Sequence, residues 1–296
     1  MLPAIVKLCC GISYQHFRSM TGLQQRAVAA IGQEINLMQR GSQITLPNWA
    51  SHVQWIKANS HTGKPENEGT ISTPMTLREE ELVYVNQGKE ALKKALEILQ
   101  DKDGWKREIL EESGDVVLSK TLPGTGKVFR LEAVLDATPE ELYDDLFVKV
   151  EEMNQWNPDV KQIKILKHIG QDTMVTHEVS AETAGNLVGQ RDFVSVRHCC
   201  KQKSCIYLAG AATHLEAFPP QKGFVRAQDG PMCIILQPLG EEKKKCQLTW
   251  LLNMDLKGWL PKSIVNQVLP QAQADFTKHL RKRLSENMSY SNKPIC

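Results

Sequence analysis

Two charges set into otherwise apolar alternating segments give this chain its strongest chemical signal. Residues 173–179 alternate, placing Met174, Thr176 and Glu178 on one face and Val175, His177 and Val179 on the other. Residues 192–199 alternate as well and group Phe193, Ser195 and Arg197. If the Met174 and Phe193 faces point inward, Glu178 and Arg197 enter the same interior. An isolated charge there would be costly, so the two should pair. Such a pair amid apolar side chains offers a ligand hydroxyl an anchor, directly or through a water. Alternation alone leaves the opposite assignment open, with both side chains in solvent.

Other patterns that carry chemistry are missing. Gly124-Thr125-Gly126 lacks the third glycine of a dinucleotide-binding turn and does not open a helix. The sequence contains no G-x-S-x-G, no H-E-x-x-H and no P-loop. The eight cysteines form no C-x-x-C and no zinc spacing, so they are expected as reduced thiols. No metal or cofactor is expected. An enzyme built on this chain would have Glu178 as its one obvious acid–base candidate. Three classes follow: a carrier of an apolar ligand, a mitochondrial enzyme acting on a small apolar substrate, and a membrane-associated interaction protein resting on Lys278, His279, Arg281, Lys282 and Arg283. That basic run is otherwise expected to be a solvated, dipole-compensating helix end.

The elements that must position these residues read as helix, strands, helix, many strands, helix. Thr76 with Glu79 forms a capping box for a helix to about Gln100, with Leu82, Val85, Leu92 and Leu96 inward. Residues 116–122 and 127–135 flank Pro123-Gly124-Thr125-Gly126 and predict a hairpin, with Phe129, Leu131, Ala133 and Leu135 on one face. Thr138-Pro139-Glu140-Glu141 predicts a second capped helix, turning Leu142, Leu146, Phe147 and Val150 to the core. Strands follow at 162–169, 173–179, 192–199, 205–212, 224–228, 232–237 and 246–255. A long helix from about Pro261 to Leu284 closes the chain, with Val265, Val268, Leu269, Ala272, Phe276 and Leu280 as its stripe. Pro270 lies inside it and predicts a kink or broken turn near residues 266–270. About nine antiparallel strands with three helices make an α+β fold, its sheet curling around the long helix.

Composition narrows the function classes. The 296 residues hold 36 basic and 34 acidic side chains, a net charge of +2, which argues against a nucleic-acid binder. Charge is nonetheless segregated: Lys7, Arg18 and Arg26 precede the first acid, Glu34. A basic, acid-free start with Leu23, Ala27, Ala30 and Ile31 at helical spacing reads as a mitochondrial transit peptide and leader over residues 1–62. A linker at 63–75 ends a stretch rich in Gly, Pro and Ser, the domain covers 76–286, and a tail covers 287–296.

Four motifs carry a family resemblance: Trp156-Asn157-Pro158, Ala184-Gly185-Asn186-Leu187-Val188-Gly189, Arg191-Asp192-Phe193-Val194-Ser195-Val196-Arg197 and Asp255-Leu256-Lys257-Gly258-Trp259-Leu260-Pro261-Lys262. In this order they resemble the START lipid-transfer domain, over about residues 76–286. The resemblance implies a helix-grip fold, in which a U-shaped antiparallel sheet encloses a tunnel closed by the C-terminal helix. It implies a non-enzymatic carrier of one cholesterol per domain, acting at the mitochondrial outer membrane in steroid hormone synthesis and then imported through its leader. The family's acid–arginine pair maps onto Glu178 and Arg197, and Asn157, Leu208, Met232 and Leu256 fall near the ligand. Val265, Val268, Leu269, Ala272 and Phe276 would form the lid. The family's kinase site has two arginines before a serine; here Lys201-Gln202-Lys203 precedes the candidate phosphorylation site Ser204.

Overall fold

The computed structural model describes residues 77–291, apart from 183–187, 203–204 and 241–243. The leader and linker, Thr76, Ser204 and most of the Ala184–Gly189 motif therefore lie outside the described residues.

Helix α1 (Glu79–Gln100) starts later than expected. Arg78 is its N-cap, and the Glu81 carboxylate reaches back to accept from the Arg78 backbone N–H at 3.0 Å. The first turn then carries three acids at the positive end of the helix dipole. Val85, Leu92, Ala95 and Leu99 are buried, but Leu82 is exposed, contrary to expectation.

Strands β1 (Lys106–Leu110), β2 (Val116–Leu122) and β3 (Gly126–Leu135) follow. The β2–β3 turn is as predicted: Gly124 and Gly126 both take positive φ, which L side chains rarely adopt. The predicted face is buried in full, with Phe129, Leu131, Ala133 and Leu135 at most 3% exposed. Strand β1 was not expected, because it is an almost wholly exposed edge strand without alternation. Helix α2 (Pro139–Tyr143) has the predicted cap: Thr138 Oγ1 accepts from the Glu141 N–H at 3.1 Å, and Glu141 accepts from the Thr138 N–H at 2.7 Å. The helix then widens into a π-turn over Asp144–Val148 and tightens into a 3-10 turn over Val150–Gln155.

Next come β4 (Val160–Ile169), β5 (Thr173–Ser180), β6 (Arg191–Gln202), β7 (Cys205–Ala212), β8 (Val225–Arg226), β9 (Gln228–Asp229), β10 (Met232–Leu239), β11 (Lys245–Leu252) and β12 (Met254–Asp255). Two predicted strands are broken: 224–228 splits into β8 and β9, and 246–255 is interrupted at Asn253. The main sheet runs β1-β2-β3-β11-β10-β7-β6-β5-β4, all antiparallel, while β8 pairs parallel with β6 and β9 pairs with β12. Arg226 on β8 reaches over to donate to Asp192 Oδ2 at 2.8 Å, which ties that short strand to β6.

Nine strands at about 4.8 Å spacing would make a flat sheet roughly 38 Å wide. Yet one apolar cluster joins Val117 and Leu131 near one edge to Met174 and Phe193 near the other, together with the final helix. The sheet therefore curls, and its concave face meets α3 (Lys262–Ser291). Its convex face carries α1, where Leu92, Ala95 and Leu99 pack on Val128, Ala209, Cys233 and Leu251. There Gly88 allows a close approach, because a Cβ at that position would sit 2.5 Å from His198 Cβ. Gly88→Ala should lift α1 and cost about 1–3 kcal/mol; urea unfolding measures it.

Helix α3 extends past Leu284 and runs through Pro270 without a break, so the expected broken turn does not occur. Proline still removes one backbone donor, that toward the Asn266 carbonyl. The buried face is broader than the expected stripe: Ile264, Leu269, Ala274, Phe276, Leu280 and Leu284 are buried, whereas Ala272 is only half-buried.

Candidate functional site

Strand register brings the two charged side chains together. Met174 pairs with Arg197 and Glu178 with Phe193 across β5–β6, so Glu178 and Arg197 lie diagonally on one face. Arg197 Nη2 donates to Glu178 Oε2 at 2.8 Å, and Arg197 Nε donates to Thr176 Oγ1 at 3.1 Å. Thr176 is itself buried. About a quarter of the Glu178 side chain is accessible. Burial pushes the Glu178 carboxyl up, and the Arg197 charge opposes the rise. Both side chains are partly accessible and tied to one another, so neither extends freely into solvent.

Arg197 lines a cavity of about 30 Å3 together with Leu208, Met232, Ile234, Leu146, Phe147 and Gly210. Leu146 and Phe147 belong to the π-turn, where both are buried. Gly210 sits opposite Arg197 in the ladder, and a Cβ there would lie 3.0 Å from the Val196 carbonyl oxygen. The cavity thus has a mostly apolar wall and one charged end.

Of the residues expected at a ligand, Arg197, Leu208 and Met232 line this cavity, and Glu178 is tied to it through its ion pair with Arg197. Asn157 and Leu256 do not line this cavity. Asn157 is buried, but its Oδ1 accepts from the Asp159 N–H at 3.1 Å and shapes the turn into β4. Leu256 packs in the main core, and its carbonyl accepts from Arg191 Nε at 3.3 Å. Two polar residues were missed. Ser195 Oγ donates to Asp229 Oδ2 at 2.7 Å, and both line the cavity. Ser195 was visible on the Arg197 face; Asp229 lies in a two-residue strand with no alternation to read.

The lid side chains Leu269 and Phe276 are buried, and Val265 and Val268 are partly buried against the same core. Phe276 packs between Trp250 at 4.9 Å and Trp156 at 5.7 Å, ring centre to ring centre. The basic run of α3 is not a free helix end. Arg281 grips buried Asp115 with both terminal nitrogens, Nη2 to Oδ1 at 2.6 Å, and also donates to the Val134 carbonyl. Lys278 pairs with Glu111 at 3.2 Å. These contacts pin the lid to β2, β3 and the β1–β2 turn.

The tunnel implied by the resemblance is narrower than a ligand. Pockets for small molecules hold about 300–1,000 Å3, an order of magnitude more than this cavity. A ligand of that size would need this space to widen.

A curled antiparallel sheet, a closing C-terminal helix and an enclosed cavity with one ion pair define a helix-lidded binding fold. Residues 86–289 match the START domain model, and the chain belongs to that family. It is 51% identical over 284 residues to "Steroidogenic acute regulatory protein, mitochondrial" of Bos taurus, covering 96% of each chain. The Homo sapiens protein of that name is 50% identical, with 97% of this chain and 98% of the relative covered. Among solved structures, human StAR-related lipid transfer protein 5 aligns with a TM-score of 0.65 at 22% identity, covering 70% of this chain and 99% of the other. That likeness supports the fold.

Proposed function

We propose that this chain carries cholesterol, one molecule per domain, and promotes its movement from the outer to the inner mitochondrial membrane at the start of steroid hormone synthesis. The observation that carries the reading is the Glu178–Arg197 pair beside a small cavity that Arg197 lines, in a chain about half identical to steroidogenic acute regulatory proteins along nearly its whole length. The sterol rings replace water-exposed surface with apolar wall, worth about 25 cal/mol per Å2. The single hydroxyl takes its hydrogen bonds from the Arg197 end. Nothing in this scheme alters a covalent bond.

The remaining partners belong to the same proposal: the mitochondrial outer membrane surface for sterol pick-up, and the import machinery through residues 1–62. Asn157 and Leu256 act as supports for the wall rather than as ligand contacts, and Ser204 is kept as a candidate phosphorylation site. Uptake requires α3 to move away from the sheet, because the closed cavity admits no sterol. The test is transfer of labelled cholesterol from donor to acceptor vesicles by the purified chain. Transfer of unaltered sterol well above the spontaneous rate supports the proposal. Conversion to another product, or vesicle association without uptake, contradicts it.

A further inference from the structure

We propose that Asp229 sets the charge rule for the ligand: it makes the polar end of the cavity refuse anionic head groups and accept an uncharged hydroxyl. The inference rests on the carrier reading above and adds the residue that enforces its ligand class.

Asp229 lines the cavity beside Ser195 and Arg197 and is fixed by the Ser195 hydrogen bond. Its backbone is fixed too. Met254 pairs with Asp229 across β9–β12, and the Gly230 N–H donates to the Asn253 carbonyl at 2.8 Å. Only glycine fits next to it, since a Cβ on Gly230 would overlap the Asn253 side chain at 2.3 Å. The carboxylate is thus held in place before any ligand arrives.

Arg197 is the one basic residue among the described residues lining this cavity. Its Nη2 is engaged by Glu178 and its Nε by Thr176. Glu178 thus holds the guanidinium by a hydrogen bond, and the same charge acts on nearby Asp229 through space. Burial pushes the Asp229 carboxyl up, and Asp229 adds to the rise at Glu178. With Glu178 on the guanidinium and Asp229 beside it, the polar end offers an anion no uncommitted cation among the described lining residues. A ligand sulfate, phosphate or carboxylate would add one more like charge at low dielectric. A hydroxyl adds none and can both donate and accept.

Equilibrium binding of radiolabelled cholesterol and of cholesteryl sulfate to the purified full chain tests this, because the two probes share their rings and differ in head charge. The wild type should prefer cholesterol by at least about tenfold, which is ~1.4 kcal/mol. Asp229→Asn should shrink that preference about tenfold, and Asp229→Glu should keep it. Asp229→Ser removes the same charge should the amide disturb folding. Equal binding of the two probes by the wild type overturns the proposal without any variant. So does an unchanged preference in a neutral variant that still binds cholesterol; both results leave the carrier reading standing. A wild-type chain that binds neither probe overturns the carrier reading and this inference with it.

Discussion

Arg197→Leu should lower the stability of the chain by about 3 kcal/mol at neutral pH and weaken cholesterol binding by at least about tenfold. The guanidinium balances the half-buried Glu178 carboxylate at 2.8 Å. Removing it leaves that carboxyl beside a second acid, Asp229. For a domain of this size the loss should appear as a fall in thermal midpoint of roughly 6–12 °C. The pH dependence has a definite sign. The Glu178 carboxyl is raised in the folded protein, and without Arg197 it rises further. A raised acid binds its proton more tightly when folded, so its contribution is complete below the unfolded carboxylate range and is lost as pH rises through the folded value. The deficit of the variant should therefore shrink in mild acid and widen toward alkaline pH. The double variant Glu178→Leu/Arg197→Leu separates folding from function. Apolar replacement of both partners should restore most of the stability, while sterol binding stays weak because the hydroxyl has lost its partner. A single variant with unchanged midpoint and unchanged affinity would contradict the buried pair.

Arg281→Ala should loosen the lid. The residue holds Asp115, which is only 2% exposed, through both terminal nitrogens and ties α3 to the Val134 carbonyl. Its loss leaves a buried carboxylate without its cation, at a cost of about 3 kcal/mol. Because the pair joins the lid to β2 and β3, much of that cost can be relieved by lifting α3. Sterol exchange between vesicles should then speed up several-fold while retention on the protein falls. Burial pushes the Asp115 carboxyl up, but hydrogen bonds from Arg281 and Thr277 and the Arg281 charge outweigh it, leaving it below the usual range. A depressed acid contributes stability above its unfolded value and loses it as pH falls through the folded one. The clamp should therefore survive mild acid and fail only below the ordinary carboxylate range. Hydrogen exchange along α3, measured against pH in both proteins, checks this.

Much of this arrangement was legible from residue spacing. The Pro123–Gly126 turn, the Thr138 cap and the Glu178–Arg197 pair follow from local rules, because each needs only a period of two or a few residues of capping chemistry. Position 82 failed because apolar spacing marks a helix face only coarsely, and Leu82 falls at its exposed margin while Val85 is buried. β1 failed because an exposed edge strand needs no apolar alternation. At Pro270 the broken turn did not occur, because a proline removes only one backbone hydrogen bond and the flanking turns remain helical. Asp229 was invisible for a different reason. Its place at the cavity depends on a bend at Gly230 and Asn253, a long-range contact that no sequence window contains. The width of the cavity was likewise unreadable, since it is set by how far α3 closes on the concave face. The family resemblance supplied the cholesterol assignment and the membrane setting; residue spacing alone reached only an apolar interior with one ionic anchor.

The central claim is that the core opens to admit a single sterol and closes on it unchanged. The most direct measurement is to incubate the purified full chain with vesicles containing labelled cholesterol, separate protein from lipid, and identify and count the label that remains bound. The account predicts one intact cholesterol per chain, reduced at least about tenfold in affinity by Arg197→Leu. A chain that recovers no sterol, or that returns it chemically altered, would contradict it.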